Sequence, residues 1–150
     1  MGNVSNNCIK IICKSGWGTL NNGWFYYTVM DEEYHNSLYR FNCETFSVEL
    51  VCDDINIWSY SFCRNYILCT TFDDDEGGRL FRIGSGGSEK ILSGKQISPS
   101  GDPSGDILVV SCTDDRIFVT GAPDPSYTWL AEVDIDGNVI EIIHDDTVYN

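Results

Sequence analysis

Apolar and polar residues alternate in short runs along most of the chain. Trp24-Phe25-Tyr26-Tyr27-Thr28-Val29, Leu38-Tyr39-Arg40-Phe41, Ile57-Trp58-Ser59-Tyr60-Ser61-Phe62, Tyr66-Ile67-Leu68-Cys69-Thr70 and Ile107-Leu108-Val109-Val110 are rich in β-branched and aromatic types. Each is bounded by Gly, Asn, Asp or Pro, the composition of strands between turns. No stretch sustains a 3.6-residue apolar period long enough for a helix of ordinary length. Arg64-Asn65, Asp115-Arg116, Asp136-Gly137 and Gly86-Gly87 lie between strand candidates at tight-hairpin distance. The predicted fold class is all-β.

The strands repeat. Residues 24–28 align with 66–70 at a shift of 42, and those with 116–120 at a shift of 50. The same shifts carry Leu38-Tyr39-Arg40-Phe41 onto Leu80-Phe81-Arg82-Ile83 and Leu130-Ala131-Glu132-Val133. They also carry Val48-Glu49-Leu50-Val51 onto Lys90-Ile91-Leu92-Ser93 and Ile140-Glu141-Ile142-Ile143. With the preceding strands, Ile57 to Phe62 and Ile107 to Cys112, this gives four antiparallel strands per unit and units of roughly 8–54, 55–96 and 97–146 within one all-β repeat domain. A period of about 40–50 residues is that of a propeller blade. Cys8-Ile9-Lys10-Ile11-Ile12-Cys13 reads either as the first strand of unit one or as an extra outer strand, with Trp17 to Leu20 then first.

Trp24-Phe25-Tyr26-Tyr27 with Leu38-Tyr39-Arg40-Phe41, and Leu80-Phe81-Arg82-Ile83 with Gly84, resemble the blades of bacterial β-propeller repeat proteins. Those blades read as an aromatic "I-Y-Y", a loop, "L-Y-R-I", a Gly or Asp turn and an apolar strand. The resemblance implies a fold, not an activity. Closed propellers typically have about four to eight blades, and three blade-like units leave two faces uncovered. Association of two copies into a six-bladed homodimer removes those open ends. A triangular three-sheet β-prism is the alternative.

Charge adds a second layer. Against 9 Lys+Arg the chain carries 23 Asp+Glu, a formal net charge of -14. At 42% hydrophobic and 13% aromatic residues it is too apolar for a disordered acidic tail. Such a charge repels phosphate, so nucleic acid is excluded as a partner and a basic protein is favoured. No apolar stretch approaches the roughly 20 residues that span a bilayer. The first residues form neither a secretory signal nor, with Asn6 where Ser or Thr is wanted, an N-myristoylation site. The seven cysteines follow no C-x-x-C spacing, so free thiols and a cytoplasmic location are expected.

In a four-stranded meander the loops alternate between two ends. Loops between second and third strands share one end with the links between units. That rule collects Asp31, Glu32, Glu33, Asp53, Asp54, Asp73, Asp74, Asp75, Glu76, Asp102, Asp106, Asp124, Asp145 and Asp146, with Lys95 as the one cation, an excess of 14 - 1 = 13 negative charges. Asp53-Asp54 and Asp145-Asp146 are 92 apart, the sum of the two shifts. Of the aromatics, Trp24, Trp58, Tyr60 and Trp129 are assigned to packing between sheets. Trp17, Tyr34 and Tyr127 lie in loop contexts, and Tyr34 and Tyr127 fall on the acidic end.

Catalytic patterns are missing. Asp134-Ile135-Asp136-Gly137-Asn138 opens like a calcium loop but lacks Gly at position six and Glu at position twelve, so it reads as a hairpin turn. Asp73-Asp74-Asp75-Glu76 reads as a solvated acidic loop, and Gly84-Ser85-Gly86-Gly87-Ser88 as a hairpin without phosphate-binding context. His35 and His144 are the two histidines, and Cys43 with His35 is the one dyad worth placing. The expectation is a non-enzymatic acidic protein without metal or cofactor. It engages a basic protein partner, as immunity proteins and inhibitors do, with Asp31, Glu32, Glu33, Asp53, Asp54, Asp73, Asp74, Asp75, Glu76, Asp145 and Asp146 steering and Tyr34 and Tyr127 anchoring. A lectin-like propeller that binds glycan on aromatic platforms is the alternative.

Overall fold

A computed structural model describes residues 18–73, 77–97, 106–113, 116–124 and 127–147. The chain divides into two compact units, Met1–Ile57 and Trp58–Asn150. Unit 1 is one antiparallel sheet of β1 (Gly18–Asn21), β2 (Trp24–Met30), β3 (Asn36–Asn42) and β4 (Val48–Cys52), paired in chain order. Asn22 and Gly23, with φ of 50° and 77°, make the two-residue turn between β1 and β2. Two consecutive left-handed residues match the twist of a hairpin, and Asn and Gly tolerate that conformation best. The first strand of unit one is therefore Gly18–Asn21; Cys8–Cys13 lie outside the described residues.

Unit 2 holds two such meanders. One is β5 (Ser59–Cys63), β6 (Tyr66–Asp73), β7 (Gly77–Gly84) and β8 (Gly87–Ser93); the other is β9 (Asp106–Cys112), β10 (Ile117–Asp124), β11 (Tyr127–Val133) and β12 (Val139–Thr147). A single helical turn, α1 (Gly94–Ile97), is the only helix among the described residues. The fold is all-β, with three four-stranded antiparallel sheets.

The repeat holds rung by rung in the two middle strands. Phe25 pairs with Phe41, Ile67 with Ile83, and Ile117 with Val133, at the expected shifts. Each fourth strand carries an irregularity at the same rung: Leu38 opposes Cys52 but Tyr39 opposes Leu50, Leu80 opposes Leu92 but Phe81 opposes Lys90, and Leu130 opposes His144 but Ala131 opposes Ile142. One expected alignment shifts by two residues. Glu49 stands opposite Arg40 and Glu89 opposite Arg82, so Val48–Val51 match residues 88–91 and not 90–93. The cause is loop length, since β7 and β8 are joined by a two-residue turn, Ser85-Gly86, whereas residues 43–47 join β3 to β4.

The core of unit 2 lies between its sheets. Leu68, Leu80 and Leu92 cluster with Ile107, Ile117, Val119, Trp129, Ala131 and Val133, and β9 lies against β5, β6 and β7. Trp129 is core, as expected. At one end Cys63 donates its thiol to the Thr113 carbonyl, while Arg82 donates to the Ile135 carbonyl and to Asp136. Gly137, in the same β11–β12 turn, sits so close to β8 that a Cβ there would lie 1.8 Å from the Ile91 carbonyl oxygen. The first-to-second and third-to-fourth turns of the two sheets thus share one end. The β6–β7 and β10–β11 hairpins lie at the other.

The expected strand Ile57–Phe62 begins instead at Ser59. Trp58 precedes it, donating its backbone N–H to Thr70, and its side chain is 61% exposed, so it is not the inter-sheet packing residue anticipated. Asp145 and Asp146 lie inside β12, opposite Trp129 and Thr128, and not in a loop beyond it. Strand β4 stops at Cys52 opposite Leu38, whereas β12 runs on past the equivalent rung of His144 and Leu130 and supplies the extra rungs.

Candidate partner-binding surface

In unit 1 the acidic loop between β2 and β3 is built by one carboxylate. Asp31 Oδ1 accepts from the backbone N–H groups of Glu33 and His35, both at 2.9 Å. The Asp31 N–H donates to the His35 carbonyl at 3.0 Å and closes the loop. An Asp side chain that bonds backbone two and four residues on is a compact turn device. The geometry drives Tyr34 to φ 64°, the left-handed region that costs a side chain with a Cβ about 1–2 kcal/mol. Tyr34 is 75% exposed, so its ring gains little burial to offset that cost.

The link between units is tied to this loop. Nε2 of His35 and the Asp53 carbonyl are 3.0 Å apart, Asn56 donates its side-chain amide to the Tyr34 carbonyl, and Asn36 donates its backbone N–H to Asn56 Oδ1 at 2.9 Å. Asp31, Glu32, Glu33, Asp53 and Asp54, all exposed, are thereby gathered around Tyr34 at one end of the sheet. Arg40 is the only Lys or Arg between residues 18 and 57, and it pairs with Glu49 on the strands, away from the loop. Asp54 also accepts from the Cys52 thiol at 2.9 Å. Burial, with help from that carboxylate, pushes the thiol up to about 12.

Unit 2 gathers its acids at the end away from the Arg82 contacts. Asp73 closes β6 opposite Gly77, Asp124 closes β10 opposite Tyr127, Asp106 opens β9 opposite Ala122, and Asp145 and Asp146 oppose Trp129 and Thr128. Register therefore brings Tyr127, Asp124, Asp145 and Asp146 to one edge of a sheet. Asp74, Asp75, Glu76 and Asp102 lie outside the described residues, as does Trp17. Sequence reasoning misplaced Trp58 and passed over Phe72: the two residues, 61% and 39% exposed, have their rings 6.2 Å apart. A Trp before a strand's first residue, preceded by Asn and Asp, was the available signal.

The remaining chemistry resolves into scaffolding. Asp134 Oδ1 accepts from the N–H groups of Asp136 and Asn138, and the Asn138 amide and these N–H groups hold its carboxyl below the usual range. It is the hairpin turn expected. Gly84 pairs with Gly87 across a tight turn beside Tyr66 and Arg82. His35 and Cys43 lie at opposite ends of β3 and form no dyad. No group of three or more His, Cys, Asp or Glu among the described residues is placed to hold a metal ion. No helix among them is long and apolar enough to cross a membrane.

Comparison with known proteins finds no family model that matches the chain and no matching curated relative. Fold and surface alone define its class: an acidic all-β repeat protein whose exposed carboxylates gather with aromatics at loop ends.

Proposed function

We propose that this chain is a non-enzymatic binding protein that engages a basic protein partner through its acidic loop ends, in the manner of an immunity protein or inhibitor. The observation that carries the reading is the Asp31–His35 loop. Five exposed carboxylates lie in the loop and link around one tyrosine that is held outward, at a conformational cost, by a hydrogen-bonded frame. Strain retained at an exposed site points to a use for that geometry. The carboxylates create a field that accelerates and orients encounter, while a rigid tyrosine supplies contact area at little further entropic cost. In unit 2, Asp73, Tyr127, Asp145 and Asp146 lie towards strand ends and are a separate candidate surface.

The test is retention of basic proteins from the native host at low salt and their release by a salt step. Tyr34→Ala is expected to weaken the isolated complex roughly 30-fold, the loss typical of a hot spot, mainly through faster dissociation. Glu32→Gln with Glu33→Gln is expected to slow association roughly 10-fold and flatten its salt dependence. Salt-insensitive binding would contradict the reading.

A second reading draws on Trp58 and Phe72. An exposed aromatic pair is a platform for a sugar ring, and glycan binding would survive the salt step but fail in Trp58→Ala.

A further inference from the structure

Unit 2 contains one complete sheet-on-sheet interface. The face of β5–β8 with Leu68, Thr70, Leu80 and Leu92 clusters against the face of β9–β12 with Ile117, Val119, Ala131 and Val133, and every one of these is at most 1% exposed. Because the sheets repeat in register, both faces have counterparts elsewhere. On the outer face of β9–β12 the positions of Leu68, Thr70 and Leu80 are taken, at the shift of 50, by Phe118, Thr120 and Leu130. All three are only half-buried. On β1–β4 the positions of Ile117, Val119, Ala131 and Val133 are taken, at the shift of 92, by Phe25, Tyr27, Tyr39 and Phe41. Tyr27 is shielded between the stacked rings of Phe25 and Tyr39, but Phe25, Tyr39 and Phe41 are half-buried. Leu50 and Val48, on the rungs of Tyr39 and Phe41, are 49% and 48% exposed.

Charge follows the template in part. In unit 2 the contact is pinned when Arg82 reaches Asp136 in the β11–β12 turn. In β1–β4 the residue at that turn position is Glu44, which is exposed. The outer face of β9–β12 offers Arg116, its side chain 55% exposed. An acid and a base are thus presented on the two open faces, with the base at the position of Tyr66, beside the Glu132 that takes the place of Arg82.

We propose that the face of β1–β4 bearing Phe25, Tyr39, Phe41 and Leu50 docks on the face of β9–β12 bearing Phe118, Thr120 and Leu130 of a second copy of this chain. The contact repeats the one already made inside unit 2. It is head-to-tail, and a second contact of the same kind between the same two copies would leave neither face open. The proposal is independent of the acidic surface and its partner.

Sedimentation equilibrium tests it: the expected mass is about twice the 16.8 kDa of one chain. Leu50→Lys and Leu130→Lys, each alone, are expected to weaken association about 100-fold, because a lysine head would be buried without a partner. Mixing the two variants is expected to restore a pair, since one intact face of each kind remains. A two-fold contact of like with like would not respond this way. Near-UV circular dichroism shows whether Leu130→Lys keeps its fold; Ser111→Lys, at an already exposed position on the same face, is the variant to use if it does not. A wild-type monomer, a dimer indifferent to these lysines, a mixture that stays monomeric, or open-ended polymers would each overturn the proposal.

Discussion

Tyr34 occupies a turn position that a turn of the same kind elsewhere in the chain, between β11 and β12, fills with glycine. The Asp31–His35 and Asp134–Asn138 turns share the same frame: the first carboxylate caps N–H groups two and four residues on, and the fourth residue is left-handed, Tyr34 at φ 64° and Gly137 at φ 85°. Tyr34→Asn, which tolerates that region better, is expected to raise folding stability by about 1 kcal/mol while weakening partner binding. Thermal melts and a titration against the partner measure the two effects, and a loss of both together would mean that the tyrosine is structural. Sequence alone placed Tyr34 in an acidic loop but could not reveal its strain, which depends on Asp31 capping its own loop. The thiols behave differently. Burial pushes Cys52 and Cys112 up to about 12, with a carboxylate and the Cys63 thiol respectively adding to the shift. Both therefore stay protonated at neutral pH, and the exposed Cys43 is expected to be alkylated well before them.

At the scale of the strand, the repeated arginine is a clasp. Arg40 stacks on Trp24 and pairs with Glu49; Arg82 stacks on Tyr66 and pairs with Glu89. In the third sheet the positions exchange. Arg116 stands where Trp24 and Tyr66 stand, and Glu132 stands where the arginines stand, so the pair forms between β10 and β11 and leaves β12 with Glu141. The Glu132 side chain is only 7% exposed, against 45% for Glu49. Arg116→Ala therefore strands a shielded carboxylate and is expected to lower the urea midpoint more than Arg40→Ala does. The Arg116 guanidinium holds the Glu132 carboxyl below its ordinary 4.5. The sign follows: the pair's contribution is full above that value and is lost as pH falls through the depressed one, so Arg116→Ala should flatten the acid limb of the stability curve. Strand positions, hairpins and the two shifts were legible because period-two alternation and turn residues are local. The arginine pairing was not, because the two-residue β7–β8 turn slides the fourth strand by two rungs and alignment at constant shift hides it. Trp58 escaped for a related reason, since its aromatic run continues into β5 without a break in pattern.

Charge is arranged by end as well as by amount. Between residues 18 and 57 there are seven acids and one base. Five of the acids lie in the 31–35 loop and the 53–57 link, while Glu49 is neutralised by Arg40 and Glu44 sits at the opposite turn. Solubility alone would be served by scattering them with bases of opposite sign. Like charges on two loops tied together repel at low ionic strength, where screening is weak, and such repulsion works against the folded state. Glu32→Gln, Glu33→Gln and Asp53→Asn together, with the Asp31 frame left intact, are accordingly expected to raise the Tm at low salt. They should also remove much of the wild-type chain's own rise in Tm on adding salt. The same triple variant is expected to associate more slowly with the basic partner. Opposite movements in stability and in association rate would identify these carboxylates as retained for encounter at the expense of the fold. If stability falls instead, with no change in association, the acids serve the loop and the binding surface lies elsewhere.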